Sequence, residues 1–468
     1  MDQSLAPNQV AARLERLPVG RYHYRFLFWI SLGGWFDMYD NFVAGPLMEA
    51  LKEQQILPQT EPGEWFSLVG LFMAALPLGM FLGTMFFGLA SDYLGRRLGF
   101  IAMLLLYSLA TLAGGIGYHP LVSLLGTAAG LVLLLATRFL AGAGVGAENV
   151  VIDAYVSEIM PRKSRGWALA WTQALAFTAM PVAALLARLL TSGDFAYGWN
   201  LLLIFGSLGA LFTWNFRRRL PESPRWLASV GRGREAGEQI EQIEKAIVSQ
   251  TGQSLPSVDV APQPSRRRLP FRAIWSPAYR KRTIMLMGFQ VLQVVGYYGF
   301  THWLVTLLTK RGFALEDALT MQFGAFFLAP VGPLLGVWSI ERWQRKWTIV
   351  GLACVLAFLQ ISLGFLQDAL ALTLIAAVIV LGLNWFSAVF HAYQAELFPT
   401  EARATGIGFT YAWSRLSMVV LNLVMPGIIA THWGIAFGLM ATAFCAVAVL
   451  IGLFGPLTNS LALEEISA

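Results

Sequence analysis

Two distant stretches of the chain share one pattern: EIMPRKSR at residues 158–165 and ELFPTEAR at residues 396–403. In both, glutamate, proline and arginine follow one another at the same spacing. A second pair of stretches also shares one pattern: a carboxylate precedes two basic residues in DYLGRR at 92–97 and in ERWQRK at 341–346. Two paired signatures at matching places indicate that one structural unit occurs twice in the chain.

The chain around these signatures is too apolar for a water-soluble domain. Hydrophobic residues make up 56% of its 468 residues, and charged residues make up 13%, about half the usual share of a soluble domain. Apolar stretches of ~20 residues, the length that spans a bilayer, occur twelve times, six on each side of one long polar segment. The sequence therefore predicts an all-α membrane protein of twelve transmembrane helices in two pseudo-symmetric six-helix bundles.

Loop charges orient these helices. Most loop lysines and arginines fall on one side, the side that also receives both termini. Because cytoplasmic loops carry the excess of positive charge, both termini are predicted to be cytoplasmic. The net charge of +6 does not indicate nucleic-acid binding, because the positive residues lie where membrane topology places them. The predicted units are a cytoplasmic N-terminal segment (1–24), an N-terminal bundle (25–218), a cytoplasmic linker with short helices (219–280), a C-terminal bundle (281–457) and a cytoplasmic tail (458–468).

Other function classes find little support in the sequence. It contains no Walker-type nucleotide loop and no close His/Cys/Asp cluster, so we predict no enzyme activity, no cofactor and no metal. Cys354 and Cys445 lie inside apolar runs, and we expect them to be small core residues. No Asn-x-Ser/Thr glycosylation site occurs, which favours a bacterial inner-membrane protein.

Three motifs resemble those of a known family. GLASDYLGRR at 88–97 resembles the loop motif of the major facilitator superfamily. PESPRWL at 221–227 and ELFPTEARATG at 396–406 resemble motifs of its sugar-porter-type members, and the similarity covers essentially the whole chain. The resemblance implies a secondary transporter that holds its substrate between the halves near the midplane. It also implies protons, a small-molecule substrate and the lipid bilayer as partners, and a monomer, because one chain contains a full transport path.

The chain departs from the sugar-porter pattern in two helices. Sugar porters usually carry adjacent glutamines in the seventh helix, where this chain has Gln290 and Gln293. The first helix carries two acids, Asp37 and Asp40, where sugar porters usually have one. This pattern is similar to bacterial metabolite:proton symporters, including carriers of niacin, aromatic acids and other small organic acids. We therefore predict proton-coupled symport of an organic acid; a sugar or polyol symporter and a non-transporting sensor with a transporter fold are the alternatives.

Ionisable residues inside predicted spans are costly in lipid and are candidates for function. The resemblance implies that Asp40 carries the coupled proton and that Arg138 on the fourth helix pairs with it. A permanent Asp–Arg contact in a uniporter is the alternative. Asp37 and Glu148 lie near mid-depth by the ~1.5 Å rise per helical residue and complete the predicted proton-coupling set.

Arg415 is the predicted substrate residue, since a guanidinium at mid-depth suits a carboxylate. The alternative is an internal pair with Glu148 or Asp37. The other substrate-binding candidates are polar side chains at similar depth, which in membrane proteins also bridge helices: Gln173, Gln290, Gln293, Asn384 and Tyr297. His302 and His391 lie near helix ends, so we expect them to be interface or packing residues.

The charges of the repeated motifs resemble the inner gate of the family, which would hold the halves together when the cavity opens outward. The alternative for some of these bases is that they only set membrane topology. The predicted gate residues are Asp92, Arg96, Arg97, Glu158, Arg165, Glu396 and Arg403.

Overall fold

The computed structural model describes residues 5–161, 164–191, 197–209, 211, 220–252, 254–258, 271–277, 279–340, 342–398 and 403–458, without the side chains of 86–94, 147–150, 251, 403 and 404. Within these ranges the chain is almost wholly helical and contains no β-strand. The predicted residues Asp92, Glu148 and Arg403 lie outside the described side chains.

The first half begins with a short helix that precedes the spans. Its helices are α1 (Pro7–Glu15), α2 (Arg21–Phe42), α3 (Ala44–Glu53), α4 (Leu68–Leu94), α5 (Arg96–Leu125), α6 (Thr127–Ile159), α7 (Arg165–Phe177), α8 (Ala179–Thr191) and α9 (Gly198–Ser207). The first span comprises α2 and α3, and the fifth comprises α7 and α8. The second, third, fourth and sixth spans are α4, α5, α6 and α9.

The linker contributes α10 (Pro224–Ser229), α11 (Gly233–Thr251) and a 3₁₀ turn (Phe271–Trp275). The second half contains α12 (Arg280–Thr301), α13 (Leu304–Lys310), α14 (Leu315–Phe326), α15 (Val331–Ile340), α16 (Arg345–Leu363), α17 (Ala369–Glu396), α18 (Arg403–Thr431) and α19 (Trp433–Phe454). The seventh span comprises α12 and α13, and the eighth comprises α14 and α15. The ninth to twelfth spans are α16 to α19.

Ten helical stretches in the described ranges are long and apolar enough to cross a membrane. The two remaining spans are the first, which carries Asp37 and Asp40, and the sixth, of which α9 is the described part. With these two, the chain has the predicted twelve-helix fold of an all-α membrane protein, six helices on each side of the linker.

Glycines allow the second and fourth spans to pack with their backbones in contact. A methyl group at Gly142 would lie 2.0 Å from the carbonyl oxygen of Leu76, and one at Gly146 would lie 2.3 Å from that of Met80. Any larger residue would therefore force the two helices apart. This close packing holds α6, which carries Arg138, against α4.

The N-terminal segment and the linker form one small apolar cluster outside the spans. Val10 and Leu14 of α1 pack with Trp226 of α10 and with Ile240 and Ile243 of α11. We call the end of the bundle that carries this cluster the linker side, and the opposite end the far side.

The expectation that both cysteines are core residues was wrong. Cys354 and Cys445 are exposed on the outside of the helices. The physical reason is that apolar runs in a membrane protein face lipid as well as core, so an apolar neighbourhood in the sequence does not indicate burial.

Candidate functional site

A buried ion pair joins the first and fourth spans. Arg138 Nη1 donates to Asp40 Oδ1 at 2.8 Å, and Nη2 donates to the Asp40 backbone oxygen at 3.2 Å. Asp40 is 0% exposed and Arg138 is 2% exposed, so water does not screen the pair. The structure thus brings together the two residues that sequence reasoning paired, and it places Asp37, also fully buried, one turn earlier on the same helix.

The helix that carries Asp40 is held in place by its aromatic residues. The Tyr39 hydroxyl donates to the carbonyl oxygen of Leu202 on the sixth span at 3.1 Å. The Trp35 indole donates to Thr178 Oγ1 on the fifth span at 2.9 Å and stacks on Tyr39 with a 6.0 Å centroid distance. These contacts fix the rotation of α2 and therefore direct Asp40 towards the fourth span.

Arg415 on the eleventh span has a different environment. Its guanidinium is 5% exposed and lies over the ring of Tyr411, with 5.2 Å between the guanidinium carbon and the ring centroid. Nη2 donates to the Tyr411 hydroxyl at 3.3 Å, and Tyr298 of the seventh span interacts electrostatically with this guanidinium. Within the described side chains, no carboxylate lies in ion-pair contact with Arg415, so the pair with Asp37 is not formed.

Amide side chains connect the seventh and tenth spans beside this arginine. Gln293 Nε2 donates to Gln290 Oε1 at 3.2 Å, and Gln290 Nε2 donates to Gln394 Oε1 at 3.2 Å. Separately, the Tyr297 hydroxyl donates to Asn384 Oδ1 at 2.9 Å. The structure therefore brings together four of the five predicted polar residues, and in this state they satisfy one another across two helices.

The fifth polar candidate, Gln173, is half-buried on the fifth span, in the other half of the molecule. His391 and Tyr411, near Arg415, were not among the predicted substrate-binding residues. His391 shares a hydrogen bond of 3.0 Å with Gln394, lies 5.9 Å from the Tyr411 ring and interacts electrostatically with Arg415. Tyr411 could have been identified, because it precedes Arg415 by one helical turn.

Ion pairs at the linker side stay within each half. Arg96 Nε lies 3.0 Å from Glu158 Oε1 in the first half, and Arg345 Nη2 lies 3.2 Å from Glu396 Oε1 in the second. Arg345 was not among the predicted gate residues, although its position in ERWQRK corresponds to Arg96 in DYLGRR. Among the described side chains at this side, no ion pair joins the two halves.

The linker and the N-terminal helix add two acids that were not among the predicted gate residues. Glu222 Oε1 accepts from the backbone N–H groups of Arg96 and Arg97 at 3.0 and 3.2 Å. Burial raises the pKa of this carboxyl, although these backbone donors oppose the rise. Glu15 of α1 lies 2.5 Å from Arg225 Nη2 and 3.5 Å from Arg165 Nη2.

Direct contacts between the halves are found towards the far side. Thr306 of α13 donates to Glu49 of α3 at 2.5 Å, and Lys52 lies 3.0 Å from the same carboxylate. Asn422 of the eleventh span donates to the carbonyl oxygen of Met73 on the second at 2.9 Å. These buried contacts hold the far side closed in this state.

Comparisons with known proteins agree with this architecture. The family model described as sugar (and other) transporter matches residues 26–468. The niacin transporter NiaP of Acinetobacter baylyi is 29% identical over 477 residues, which cover 98% of this chain and 99% of NiaP. The inner membrane metabolite transport protein YgcS of Escherichia coli is 29% identical over 462 residues, which cover 97% of this chain and 96% of YgcS.

Among solved structures, the chain is similar to the partially occluded inward open conformation of the xylose transporter XylE from E. coli. The TM-score is 0.77 at 18% sequence identity, and the match covers 95% of this chain and 100% of XylE. At this identity the likeness shows the fold alone.

Proposed function

We propose that this chain, which belongs to the sugar (and other) transporter family of the major facilitator superfamily, is a proton-coupled symporter of a small organic acid anion. The family membership makes it a multi-pass membrane transporter. The observation that carries the choice of substrate is the environment of Arg415, a buried guanidinium with tyrosines around it and no carboxylate in contact among the described side chains.

A buried cation without a counter-ion is costly, because the protein must compensate the lost hydration of the charge. Arginine does not escape this cost by losing its proton. A substrate carboxylate supplies the missing charge and can bind the guanidinium through two parallel hydrogen bonds. Tyr411 and Tyr298 then flank the carboxylate, and their aromatic rings can pack against the apolar part of an organic acid.

Proton coupling is assigned to Asp40 and Arg138. When Asp40 is ionised, the 2.8 Å pair with Arg138 ties the first span to the fourth. Protonation removes the carboxylate charge and releases Arg138, which weakens the contact between these helices. Asp37, one turn away on α2, belongs to the same proposed proton site, and Glu148 remains a proposed member of it.

The proposed orientation places the linker side in the cytoplasm of a bacterial cell, with the transporter in the inner membrane. The far-side contacts of Glu49 and Asn422 then close the external entrance. In the opposite state these contacts break, and the pairs of Arg96 and Arg345 become part of a closed cytoplasmic gate. A single chain contains both halves of the path and is proposed to work as a monomer.

A sugar or polyol is the second candidate substrate. The chain of Gln293, Gln290 and Gln394 and the pair of Tyr297 with Asn384 provide neutral hydrogen-bonding groups that suit hydroxyls. If a polyol is the substrate, Arg415 serves only to organise the tyrosines.

The first test is a thermal-shift panel on the purified protein at two pH values. Small carboxylates, including nicotinate and benzoate, are compared with hexoses, pentoses and polyols, because a ligand of the folded state raises the melting temperature. We expect a carboxylate to stabilise the wild type and this stabilisation to be lost in Arg415→Gln. It should be strongly reduced in Arg415→Lys, because lysine keeps the charge but cannot form the bidentate hydrogen bonds. Stabilisation by sugars alone would replace the organic-acid proposal with the polyol one.

A further inference from the structure

His302 occupies the seam between the two halves. It follows directly after α12, and its side chain is buried, at 2% exposure. Its ring is in edge contact with Phe42 of the first half, with 5.8 Å between ring centroids, and with Tyr298 of its own half at 4.9 Å. The residue therefore contacts both halves where they meet.

The imidazole is buried without any of the hydrogen bonds that it can make. Neither Nδ1 nor Nε2 has a hydrogen-bond partner within the described part of the chain. An imidazole nitrogen kept from water without a partner destabilises the folded protein. A residue selected only to fill this apolar contact would not need two polar atoms, since phenylalanine or leucine would pack without that cost.

The surroundings of His302 connect it to both proposed sites. It interacts electrostatically with Arg138 and with Arg415. Tyr298, one helical turn earlier, interacts electrostatically with Arg415 and contacts the His302 ring. Arg415, Tyr298 and His302 thus follow one another from the anion site towards the far side.

The backbones of the two halves meet at His302 in the present state. A methyl group at Gly45 of α3 would lie 2.2 Å from the His302 carbonyl oxygen, so the two backbones touch in the present state. When the halves separate at the far side, this contact opens, and the imidazole becomes accessible to a molecule that enters from that side.

We propose that His302 is a substrate-binding residue that hydrogen-bonds a second polar atom of the transported carboxylate, on the side of the site away from Arg415. This inference rests on the proposed organic-acid function. It adds that the substrate is a carboxylate with a further hydrogen-bonding atom on its ring or chain, and that His302 selects for that atom.

The test compares matched pairs of carboxylates that differ by one polar atom: nicotinate with benzoate, and 3- and 4-hydroxybenzoate with benzoate. Dissociation constants are measured by calorimetry for the wild type and for His302→Phe, which keeps a ring but has no nitrogen. We expect the wild type to prefer the polar member of at least one pair by about tenfold, and His302→Phe to lose that preference while benzoate affinity changes less than about twofold.

Three variants separate the possible outcomes. Thr301→Val is the matched control, because Thr301 is a buried neighbour whose hydroxyl donates to its own helix at 3.0 Å, so it should keep the wild-type preference. His302→Gln retains donor and acceptor atoms and should restore part of it. Arg415→Gln should weaken all these carboxylates alike.

Three results would each overturn the assignment of His302. His302→Phe could keep the preference for the polar member, it could lose affinity equally for both members of every pair, or the wild type could show no preference. If the wild type bound none of these carboxylates, the organic-acid function itself would fall, whereas Arg415→Gln binding every carboxylate as the wild type does would overturn only the role of Arg415. The two failures are therefore distinguishable.

Discussion

Among the described side chains, each half of the molecule buries one arginine, and the two halves surround it differently. In the first half Arg138 forms a 2.8 Å ion pair with Asp40, and both side chains are almost fully buried. In the second half Arg415 contacts Tyr411 and interacts electrostatically with Tyr298, and among the described side chains no carboxylate pairs with it. Within the described side chains, one guanidinium therefore has an anionic partner and the other does not.

We propose that this difference divides the work between the halves. A buried pair whose carboxylate can be neutralised suits a proton switch, because the energy of the pair depends on whether a proton is bound. A buried cation among aromatic rings suits a substrate anion, because it has a charge to offer and apolar surface around it. Three variants test whether this division holds.

The largest expected effect is that of Asp40→Asn on energised transport. Asparagine cannot release a proton, so accumulation of substrate in proteoliposomes under an imposed pH gradient should fall to background. Exchange of internal for external substrate needs no net proton movement and should persist. Full accumulation by this variant would show that the first-half pair is only a structural contact.

The next effect is a difference in stability between Arg138→Gln and Arg415→Gln. Removing Arg138 leaves the Asp40 carboxylate buried without its partner, which should cost about 3–5 kcal/mol of folding stability. Among the described side chains, removing Arg415 leaves tyrosine hydroxyls and no carboxylate without a partner, and should cost roughly 1 kcal/mol. Melting temperatures in one detergent measure the contrast.

The double variant Asp40→Asn/Arg138→Gln supplies the control for this comparison. It removes both charges and should be more stable than Arg138→Gln alone, which gives a coupling energy for the pair. Equal losses from the two single arginine variants would mean that Arg415 has an internal anion as important as Asp40.

The smallest effect concerns the contact that closes the halves at the far side. Thr306→Val removes the donor to Glu49 and should destabilise the closed far side by about 1–2 kcal/mol, since hydrogen bonds to charged groups are stronger than neutral ones. A cysteine introduced at Thr301 should then react faster with a membrane-impermeant thiol reagent added from the far side. Thr309→Val, which removes only a hydroxyl bonded to its own helix, is the matched control. Unchanged labelling would show that Asn422 and the backbone contacts keep this side closed on their own.

The amino-acid sequence alone determined the membrane fold. Twelve apolar stretches, two paired signatures and the distribution of loop charge were sufficient, because a bilayer admits a helix only where about twenty apolar residues follow one another. The partners Asp40 and Arg138 could also be paired in advance, because the family resemblance implied this pair, and the structure brings the two residues together.

Only the tertiary structure decided how the other buried groups are paired. From the sequence, Arg415 could bind substrate or pair with Glu148 or Asp37, and His302 was one more residue near a helix end. Whether two side chains on different helices come into contact depends on the angle at which the helices cross and on the rotation of each helix about its axis. Neither can be read from the spacing of residues along the sequence. The position of Tyr298 between Arg415 and His302 is a property of the packed bundle, and it gives the second half its proposed substrate site.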